Sequence, residues 1–134
     1  MSKLLILVGA PGSGKSTFAR YFLRTEDNWV RVNRDDFRIS KMVDASVLVL
    51  LKSDTNVLID ATNTSLRTIQ DMVNAYTEYA DISFKVFDVP VEELVKRCDK
   101  RFAETGKFIP KGVIEKNVSN LHHTLEKFNF EPIP

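Results

Sequence analysis

The sequence has few of the residues that build disulfide-rich, metal-binding or membrane-spanning proteins. It contains one cysteine, Cys98, and two histidines, His122 and His123. An internal disulfide is therefore excluded, and the histidines lack cysteine or acidic partners at metal-binding spacing. No apolar run is as long as the roughly 18 residues that a membrane-spanning helix needs, and no signal peptide is recognisable. We expect a cytoplasmic protein with no membrane partner.

The sequence also lacks an excess of charge of either sign. Lysine and arginine total 19 and aspartate and glutamate total 18, so the net charge is +1. This balance argues against a broad electrostatic surface for nucleic acid, but it allows a narrow basic groove for a single-stranded end. With 134 residues, 43% of them hydrophobic, the chain is expected to form one globular domain, 1–134.

A glycine-rich stretch, 9–17, lies between a predicted strand at 4–8 and a segment with helical apolar spacing at 17–23. Glycines let successive N–H groups surround a polyphosphate, and a helix that begins at about Lys15 directs its positive dipole end at the same anion. The stretch predicts a phosphate-binding loop in which Lys15 contacts the β- and γ-phosphates of ATP and Ser16 binds Mg²⁺. The predicted nucleotide-binding residues are Gly9, Pro11, Gly12, Ser13, Gly14, Lys15, Ser16 and Thr17.

The rest of the chain alternates between strand-like and helix-like segments. The predicted strands are 4–8, 29–33, 57–60 and 81–88, and the predicted helices are about 15–23, 34–52 with a break near Asp44, 66–79, 91–102 and 110–128. This alternation predicts an α/β fold, a parallel sheet with right-handed crossovers and helices on both faces. Because such sheets bind ligands at the carboxyl ends of their strands, functional residues should follow each strand.

Asp60 ends the third predicted strand. In a phosphate-loop protein an acid at this position holds Mg²⁺, directly or through water, or accepts a hydrogen bond from Ser16. The structural alternative is an acid that only caps the following turn.

Three charged residues follow the second predicted strand. Arg34, Asp35 and Arg38 can share one side of a helix at the ligand-binding edge. A carboxylate there can accept a proton from an acceptor hydroxyl, and the arginines can bind an acceptor phosphate. Spacing alone leaves the alternative open, because the helix dipole favours aspartates in a first turn, and Asp36 is the better candidate for such a helix-start residue.

A basic helix with Arg97 and Arg101 precedes a flexible Thr105-Gly106-Lys107 segment. Such a helix and loop, 91–112, can close over a nucleotide and screen the transferred phosphoryl group. The alternative is a solvated basic face.

The basic neighbours of Cys98 predict a lowered pKa, without indicating a nucleophile. A core position is predicted, rather than a base-stacking surface, for Phe18, Tyr21, Phe22, Phe84 and Phe87.

Several motifs together resemble the kinase domain of bacteriophage polynucleotide kinase. They are the loop 9–17, Val32-Asn33-Arg34-Asp35-Asp36-Phe37-Arg38, Asp60-Ala61-Thr62-Asn63, and Val86-Phe87-Asp88-Val89-Pro90 with Glu93-Leu94-Val95-Lys96-Arg97. The resemblance implies a phosphate-loop kinase fold with four parallel strands in the order 2-3-1-4. It also implies transfer of the γ-phosphate of ATP, with Mg²⁺, to the 5′-hydroxyl end of DNA or RNA.

The resemblance also implies residue roles. Asp35 would be the base, and Arg38, with Arg34, would bind the acceptor. Arg101 and Arg97 would act on the ATP phosphates from the lid. Thr62 with Asn63 would lie near the acceptor phosphate. Two departures stand out. The segment 39–56 is shorter than in that family by roughly twenty residues, so the resemblance does not fix substrate length or strand preference. The Asp-x-Asp motif of the family's phosphatase domain does not follow, so no 3′-phosphatase activity is expected, and homo-oligomers are possible.

Two alternatives remain open on the sequence. The acceptor can be a nucleotide, a modified base or another small alcohol. The chain can instead be an ATP-binding switch module that transfers phosphate slowly or not at all, although an acceptor-binding arginine beside Asp35 has no use in a switch.

Overall fold

The computed structural model describes residues 1–33, 40–62 and 64–128. Within these ranges four strands alternate with helices, and a fifth helix follows. The elements are β1 (Ser2–Gly9), α1 (Lys15–Thr25), β2 (Trp29–Asn33), α2 (Ser40–Lys52), β3 (Asn56–Asp60), α3 (Leu66–Tyr76), β4 (Ala80–Phe87), α4 (Val91–Thr105) and α5 (Lys111–Lys127). No helix in the described ranges is long and apolar enough to cross a membrane.

The four strands form one parallel sheet in the order β2-β3-β1-β4. The predicted fold class and strand order are therefore confirmed. Asn33 at the end of β2 is in register with Asp60 at the end of β3, and Gly9 at the end of β1 is in register with Phe87. The carboxyl ends of the strands thus meet at one edge, which is where a parallel sheet positions its ligand.

Alternating side chains of the strands bury two different cores. On one face Leu7 and Leu58 pack against α1, and the ring of Phe22 meets Trp29 edge-on at 4.8 Å. The opposite face is covered by α2, α3 and α5, and its core includes Leu4, Ile6, Val8, Val57, Ile59, Ile69, Tyr76 and Leu121. Strands buried on both faces account for the continuous apolar runs in β1 and β3.

A third core lies beyond the edge of the sheet. It joins Ala10 of the glycine-rich loop to Leu94 and Cys98 of α4 and to Ile114 and Val118 of α5. Because these side chains are buried together, the inner face of α4 fixes the loop's position from the outside.

Some predicted boundaries need correction. The predicted break near Asp44 is wrong, since α2 is continuous from Ser40 to Lys52, and the Tyr76 hydroxyl donates a 2.6 Å hydrogen bond to Asp44. The helix predicted over 66–79 ends at Tyr76, where the chain turns into β4. The helix predicted over 91–102 continues to Thr105 and ends at Gly106, whose φ is 74°.

The aromatic prediction holds for four residues of five. Phe18, Phe22 and Phe87 pack in the core under α1, and Phe84 packs against the opposite core. Tyr21 is wrong, because 66% of its surface is exposed on the outer side of α1. The apolar spacing of segment 17–23 does not distinguish Tyr21 from its neighbours, since a tyrosine hydroxyl is readily left in water.

Candidate nucleotide-binding site

The backbone of the glycine-rich loop requires glycine at three positions. Gly12 and Gly14 have φ values of 80° and 103°, a region that disfavours residues with a Cβ. A Cβ on Gly9 would lie 2.5 Å from Ser13 Oγ and 2.9 Å from Phe87 Cβ. The loop therefore turns tightly from β1 into α1, and its spacing in the sequence follows from these constraints.

The N-terminus of α1 faces the loop without a side-chain cap. Gly14 occupies the N-cap position and has no side chain to cap the helix, and Lys15 is the first helical residue. The first N–H groups of a helix need partners, and together with the helix dipole they favour an anion. This geometry is what a phosphate-binding loop requires.

Lys15 lies inside the loop, with 8% of its surface exposed. Its Nζ donates hydrogen bonds to the carbonyl oxygens of Gly9 at 2.8 Å and Ala10 at 2.9 Å, and it lies 3.5 Å from Ser13 Oγ. The ammonium group is thus held over the concave side of the loop by neutral acceptors. It adds a positive charge at the position where the sequence predicts phosphate.

A charged network lies on the sheet side of the loop. Asp60 is only 4% exposed, and its Oδ2 pairs with the guanidinium of Arg31 in β2. The same nitrogen of Arg31, Nη2, lies 3.4 Å from Ser16 Oγ. Ser16 and Asp60, the two predicted Mg²⁺ ligands, are therefore brought together, and one cationic nitrogen lies between them.

Sequence reasoning missed Arg31. The signal was present, because Arg31 is a charged residue inside a strand of a sheet expected to be covered on both faces. Such a residue needs a partner, and Asp60 is an acid on the neighbouring strand. Asp60 is two residues beyond Leu58, the register partner of Arg31, so Asp60 and Arg31 share a face of the sheet.

The donor set fits Mg²⁺. A hydroxyl and a carboxylate that already share one cationic nitrogen can share a metal ion, and both are oxygen ligands of the kind Mg²⁺ prefers. The described residues hold no group of three or more His, Cys, Asp or Glu side chains at metal-binding distance. Among the described residues, Ser16 and Asp60 are the two oxygen donors that could hold such a metal.

The opposite side of the loop contacts α4. Arg97 Nη1 donates to the Gly12 carbonyl at 3.2 Å, and its Nε donates to Glu93 at 3.2 Å. Cys98 Sγ lies 3.7 Å from the Pro11 carbonyl oxygen. The structure thus brings the predicted residue Arg97 to the tip of the loop, although it binds the backbone there.

The pKa of Cys98 is raised, mainly because the thiol is buried, and Asp99 adds to the increase. Arg101 and Lys15 oppose the increase without reversing it. The prediction of a lowered pKa is therefore wrong. Basic neighbours in the sequence do not reveal that the thiol points inward, where burial disfavours the thiolate.

Arg101 lies one turn beyond Arg97 on α4 and is exposed. Its carbonyl accepts a 2.7 Å hydrogen bond from Thr105 Oγ1, close to the end of the helix. The first two turns of α4 are held by Leu94 and Cys98 in the third core. Arg101 is therefore beyond Leu94 and Cys98 on α4, although Ile109, after the helix, packs against the same core.

The acceptor-binding predictions fall mostly on residues that the structure does not describe. Arg34, Asp35, Arg38 and Asn63 lie outside the described residues, and Thr62 is exposed just beyond β3. Sequence reasoning also missed the role of a neighbouring residue.

That neighbour is Thr64, which is buried and joins the loop after β3 to α5. Its hydroxyl donates to Asn117 at 2.9 Å, and its carbonyl accepts a 2.7 Å hydrogen bond from the Thr124 hydroxyl. These two bonds fix the chain directly after Thr62 and Asn63. The histidines are placed on the surface side of α5, where His122 lies 3.1 Å from Asp88.

Comparison with solved structures yields two similar chains at high identity. One, in a structure of the Pnkp1/Rnl/Hen1 RNA repair complex, is 70% identical, with a TM-score of 0.95 over 99% of this chain and 48% of that chain. Another, in a Pnkp1/Rnl/Hen1 complex, is 60% identical, with a TM-score of 0.75 over 99% of this chain and 44% of that chain. The chain thus spans about half the length of these two proteins.

A fungal RNA kinase is similar in fold alone, at 16% identity and a TM-score of 0.65 over 100% of this chain and 35% of that chain. These neighbours agree with the fold that the sequence predicted. The family model described as the AAA domain, AAA_33, matches residues 4–124, which include the glycine-rich loop, Arg31, Asp60 and α4. The chain therefore belongs to the AAA_33 family of AAA domains.

Proposed function

We propose that this chain is a kinase domain that transfers the γ-phosphoryl group of ATP to the 5′-hydroxyl end of a polynucleotide, with RNA as the preferred acceptor. The observation that carries this proposal is the 70% identity, over 99% of the chain, to a component of an RNA repair complex. Similarity at this level, together with a complete phosphate-binding loop, favours a shared chemistry over a shared fold alone.

The nucleotide half of the reaction uses described residues. The N–H groups of the loop and the N-terminus of α1 bind the β- and γ-phosphates, and Lys15 adds a charge beside them. Ser16 and Asp60 would hold Mg²⁺, which would neutralise the charge that develops during transfer. Thr17 completes the nucleotide-binding set at the start of α1.

The acceptor half depends on the segment after β2. In the proposed step the 5′-oxygen forms a bond to the γ-phosphorus while the bond from that phosphorus to the oxygen of ADP breaks. The hydroxyl proton passes to the carboxylate of Asp35. Arg38, with Arg34, Thr62 and Asn63, would bind the acceptor's phosphate. Chain connectivity supports this assignment, because β2 ends at Asn33 in register with Asp60, beside the nucleotide site.

The lid prediction concerns Arg97 and Arg101. Arg97 at the loop tip and Arg101 one turn beyond it would contact ATP phosphates when 91–112 closes. An exposed arginine costs little to reorient, whereas the Leu94 and Cys98 side of α4 is buried. We therefore propose that closure involves the end of α4, while the first turns, and Ile109 after the helix, stay packed on the third core.

The described fold supports one kinase domain over 1–134. The two solved chains of high identity are about twice as long and lie in complexes with the names Pnkp1, Rnl and Hen1. We propose that this chain works in a complex of the same kind, as a cytoplasmic RNA end-repair enzyme. Homo-oligomers of the domain stay a prediction.

A labelling experiment with parallel acceptors tests the function. The protein is incubated with ATP labelled in the γ-phosphate, Mg²⁺ and one of four additions: 5′-hydroxyl RNA, 5′-hydroxyl DNA, nucleoside monophosphates or nothing. The same RNA with a 5′-phosphate is the matched control and should accept no label. Label on the RNA end at a higher rate than on DNA is expected. Label only on monophosphates indicates a small-molecule kinase, and binding of ATP without transfer indicates a switch module.

The proposed role of Asp35 as the base can be tested with its neighbour Asp36 as the control. Asp35→Asn should lower the transfer rate by about 100-fold or more, since it removes the proton acceptor, while ATP binding stays nearly unchanged. Asp36→Asn makes the same chemical change one residue further and should keep most of the activity. Equal losses in the two variants, or full activity in Asp35→Asn, would show that the base is another group.

A further inference from the structure

Arg31 occupies the position between the two candidate metal ligands. Its Nη2 pairs with Asp60 Oδ2 and lies 3.4 Å from Ser16 Oγ, and both oxygens belong to the donor set proposed for Mg²⁺. A guanidinium nitrogen and a metal ion cannot lie between the same two oxygens at once. Either Arg31 moves when the metal binds, or the metal does not bind there.

We propose that Arg31 is an internal competitor of Mg²⁺, which neutralises Asp60 in the nucleotide-free protein and leaves when the metal arrives with the nucleotide. The inference rests on the proposed nucleotide-binding function and adds to it a residue that sets the affinity for the metal. Arg31 is then a positioning residue, which acts on the reaction through Ser16 and Asp60.

The burial of Asp60 explains why a competitor is needed. A carboxylate with 4% of its surface exposed destabilises the fold if it is left unpaired, so Asp60 needs a cation before the metal binds. The ammonium of Lys15 donates hydrogen bonds to the carbonyls of Gly9 and Ala10. Within the described parts of the chain, Arg31 forms the ion pair with the carboxylate of Asp60.

The bonds of Arg31 also indicate how it can leave. Its side chain is 26% exposed, so a path to solvent is open, in contrast to Asp60. Its Nε is buried and has no hydrogen-bond partner within the described parts of the chain. A guanidinium with one unpaired buried N–H gains a water or phosphate partner when it moves, which reduces the cost of losing Asp60.

The competition has a functional consequence. Mg²⁺ alone must displace Arg31 with Ser16 and Asp60 as its ligands from the described residues, whereas Mg²⁺ bound to a nucleotide would bring phosphate oxygens as further ligands. The same phosphates are anions that can pair with the released guanidinium. Arg31 therefore disfavours metal binding before nucleotide binding and couples the two events.

The test measures metal dependence without any acceptor. The protein is titrated with Mg²⁺ in the presence of a non-hydrolysable ATP analogue, and nucleotide binding is followed by calorimetry. Arg31→Gln should lower the half-saturating Mg²⁺ concentration by about tenfold, the ratio that corresponds to one charge-assisted hydrogen bond. Arg67→Gln is the matched control, because Arg67 on α3 is 91% exposed and has only a 3.9 Å ion pair with Asp71. It should leave the titration unchanged.

An unchanged or higher half-saturating concentration in Arg31→Gln would overturn the proposal and would indicate that Arg31 positions Asp60 for the metal. A wild-type protein that binds no nucleotide at any Mg²⁺ concentration would instead overturn the proposed function. The two failures are therefore distinguishable.

Thermal unfolding supplies a second readout. In EDTA, Arg31→Gln should melt at a lower temperature than the wild type, because Asp60 is left without its cation, and Mg²⁺ with the ATP analogue should restore more of its stability. Arg31→Lys retains a charge with a less well-fitting donor and should fall between the two in both measurements. It remains informative if Arg31→Gln does not fold. The proposal is contradicted if Mg²⁺ with the ATP analogue raises the melting temperature of Arg31→Gln by no more than it raises that of the wild type.

Discussion

The two sides of the glycine-rich loop differ in the kind of side chains that contact it. On the sheet side, Lys15, Ser16, Arg31 and Asp60 form a network of charges and hydrogen bonds. On the α4 side, Leu94 and Cys98 press against the loop with an apolar surface, and Arg97 binds a backbone carbonyl. In the proposed function, the sheet side would therefore determine which ligand is bound, because its charges would select phosphate and metal. The α4 side restricts the backbone conformation of the loop, because its atoms leave little space for a side chain at Gly12.

Removal of one charge on the sheet side should have the largest effect on function. Lys15→Ala deletes the ammonium group that lies over the loop, and the transfer rate should fall by about 100-fold or more, since such a group stabilises charge in the transition state. Lys127→Ala at the exposed end of α5 is the matched control and should keep its activity. The measurement is transfer to 5′-hydroxyl RNA, with circular dichroism to verify folding.

A Lys15→Ala variant that transfers phosphate at a near-normal rate would contradict the proposed difference in role between the two sides of the loop. It would mean that the loop binds phosphate through backbone N–H groups alone, and that the chemistry depends on shape on both sides.

A change of volume on the α4 side should affect stability. Gly12→Ala adds a methyl group at a φ of 80°, with its Cβ 3.0 Å from Cys98 Sγ. The left-handed backbone alone costs roughly 1–2 kcal/mol in unfolding free energy, and the tight contact adds to this cost. We expect a clear loss of stability in a denaturant titration, together with weaker ATP binding, because the loop tip must shift.

Two other glycines separate the cost of the left-handed backbone from the cost of the tight contact. Gly106 has a φ of 74° with open space around it, so Gly106→Ala should cost only the backbone amount. Gly112 lies in the first turn of α5 with nothing near it, so Gly112→Ala should be neutral or stabilising by up to about 1 kcal/mol. If Gly12→Ala costs no more than Gly106→Ala, then α4 does not press on the loop and the shape argument fails.

The same comparison explains how much the sequence could predict. The fold was predictable because apolar runs, glycine spacing and alternation of strands and helices are local patterns with a period. Lys15 and Ser16 were predictable because the loop motif fixes their places relative to a strand and a helix. The boundaries of α3 and α4 were displaced by three residues each, since helix ends depend on turns and caps that periodicity does not encode.

Contacts between distant segments have no such local pattern, and a charged residue within a strand, such as Arg31, indicates only that a partner is needed. Arg31 meets Asp60 through strand pairing, and Thr64 meets Thr124 across 60 residues of sequence. A motif describes neighbours in the chain, whereas these pairs exist only after the sheet and α5 have packed. The pKa of Cys98 has the same origin, because its sign is set by burial against the loop.

Cys98 gives the smallest predicted effect, and it tests the apolar side directly. Because burial raises the thiol's pKa above its ordinary value of 9.0, alkylation of the folded protein at pH 8 should be slower than alkylation of the same protein in denaturant. The raised pKa also means that the unfolded state loses this proton first as the pH increases. The associated stability is fully present below pH 9.0 and is lost as the pH rises through the higher, folded pKa.

Cys98→Ala is the control for both measurements. As the chain has one cysteine, this variant should take no label, and the alkaline loss of stability that belongs to the thiol should disappear. Rapid alkylation of the folded wild type at pH 8 would show that the thiol reaches solvent, and that the contact between α4 and the loop opens readily. In that case the lid would include the first turns of α4, and the division between a charged, ligand-selecting side and a rigid, apolar side would no longer hold.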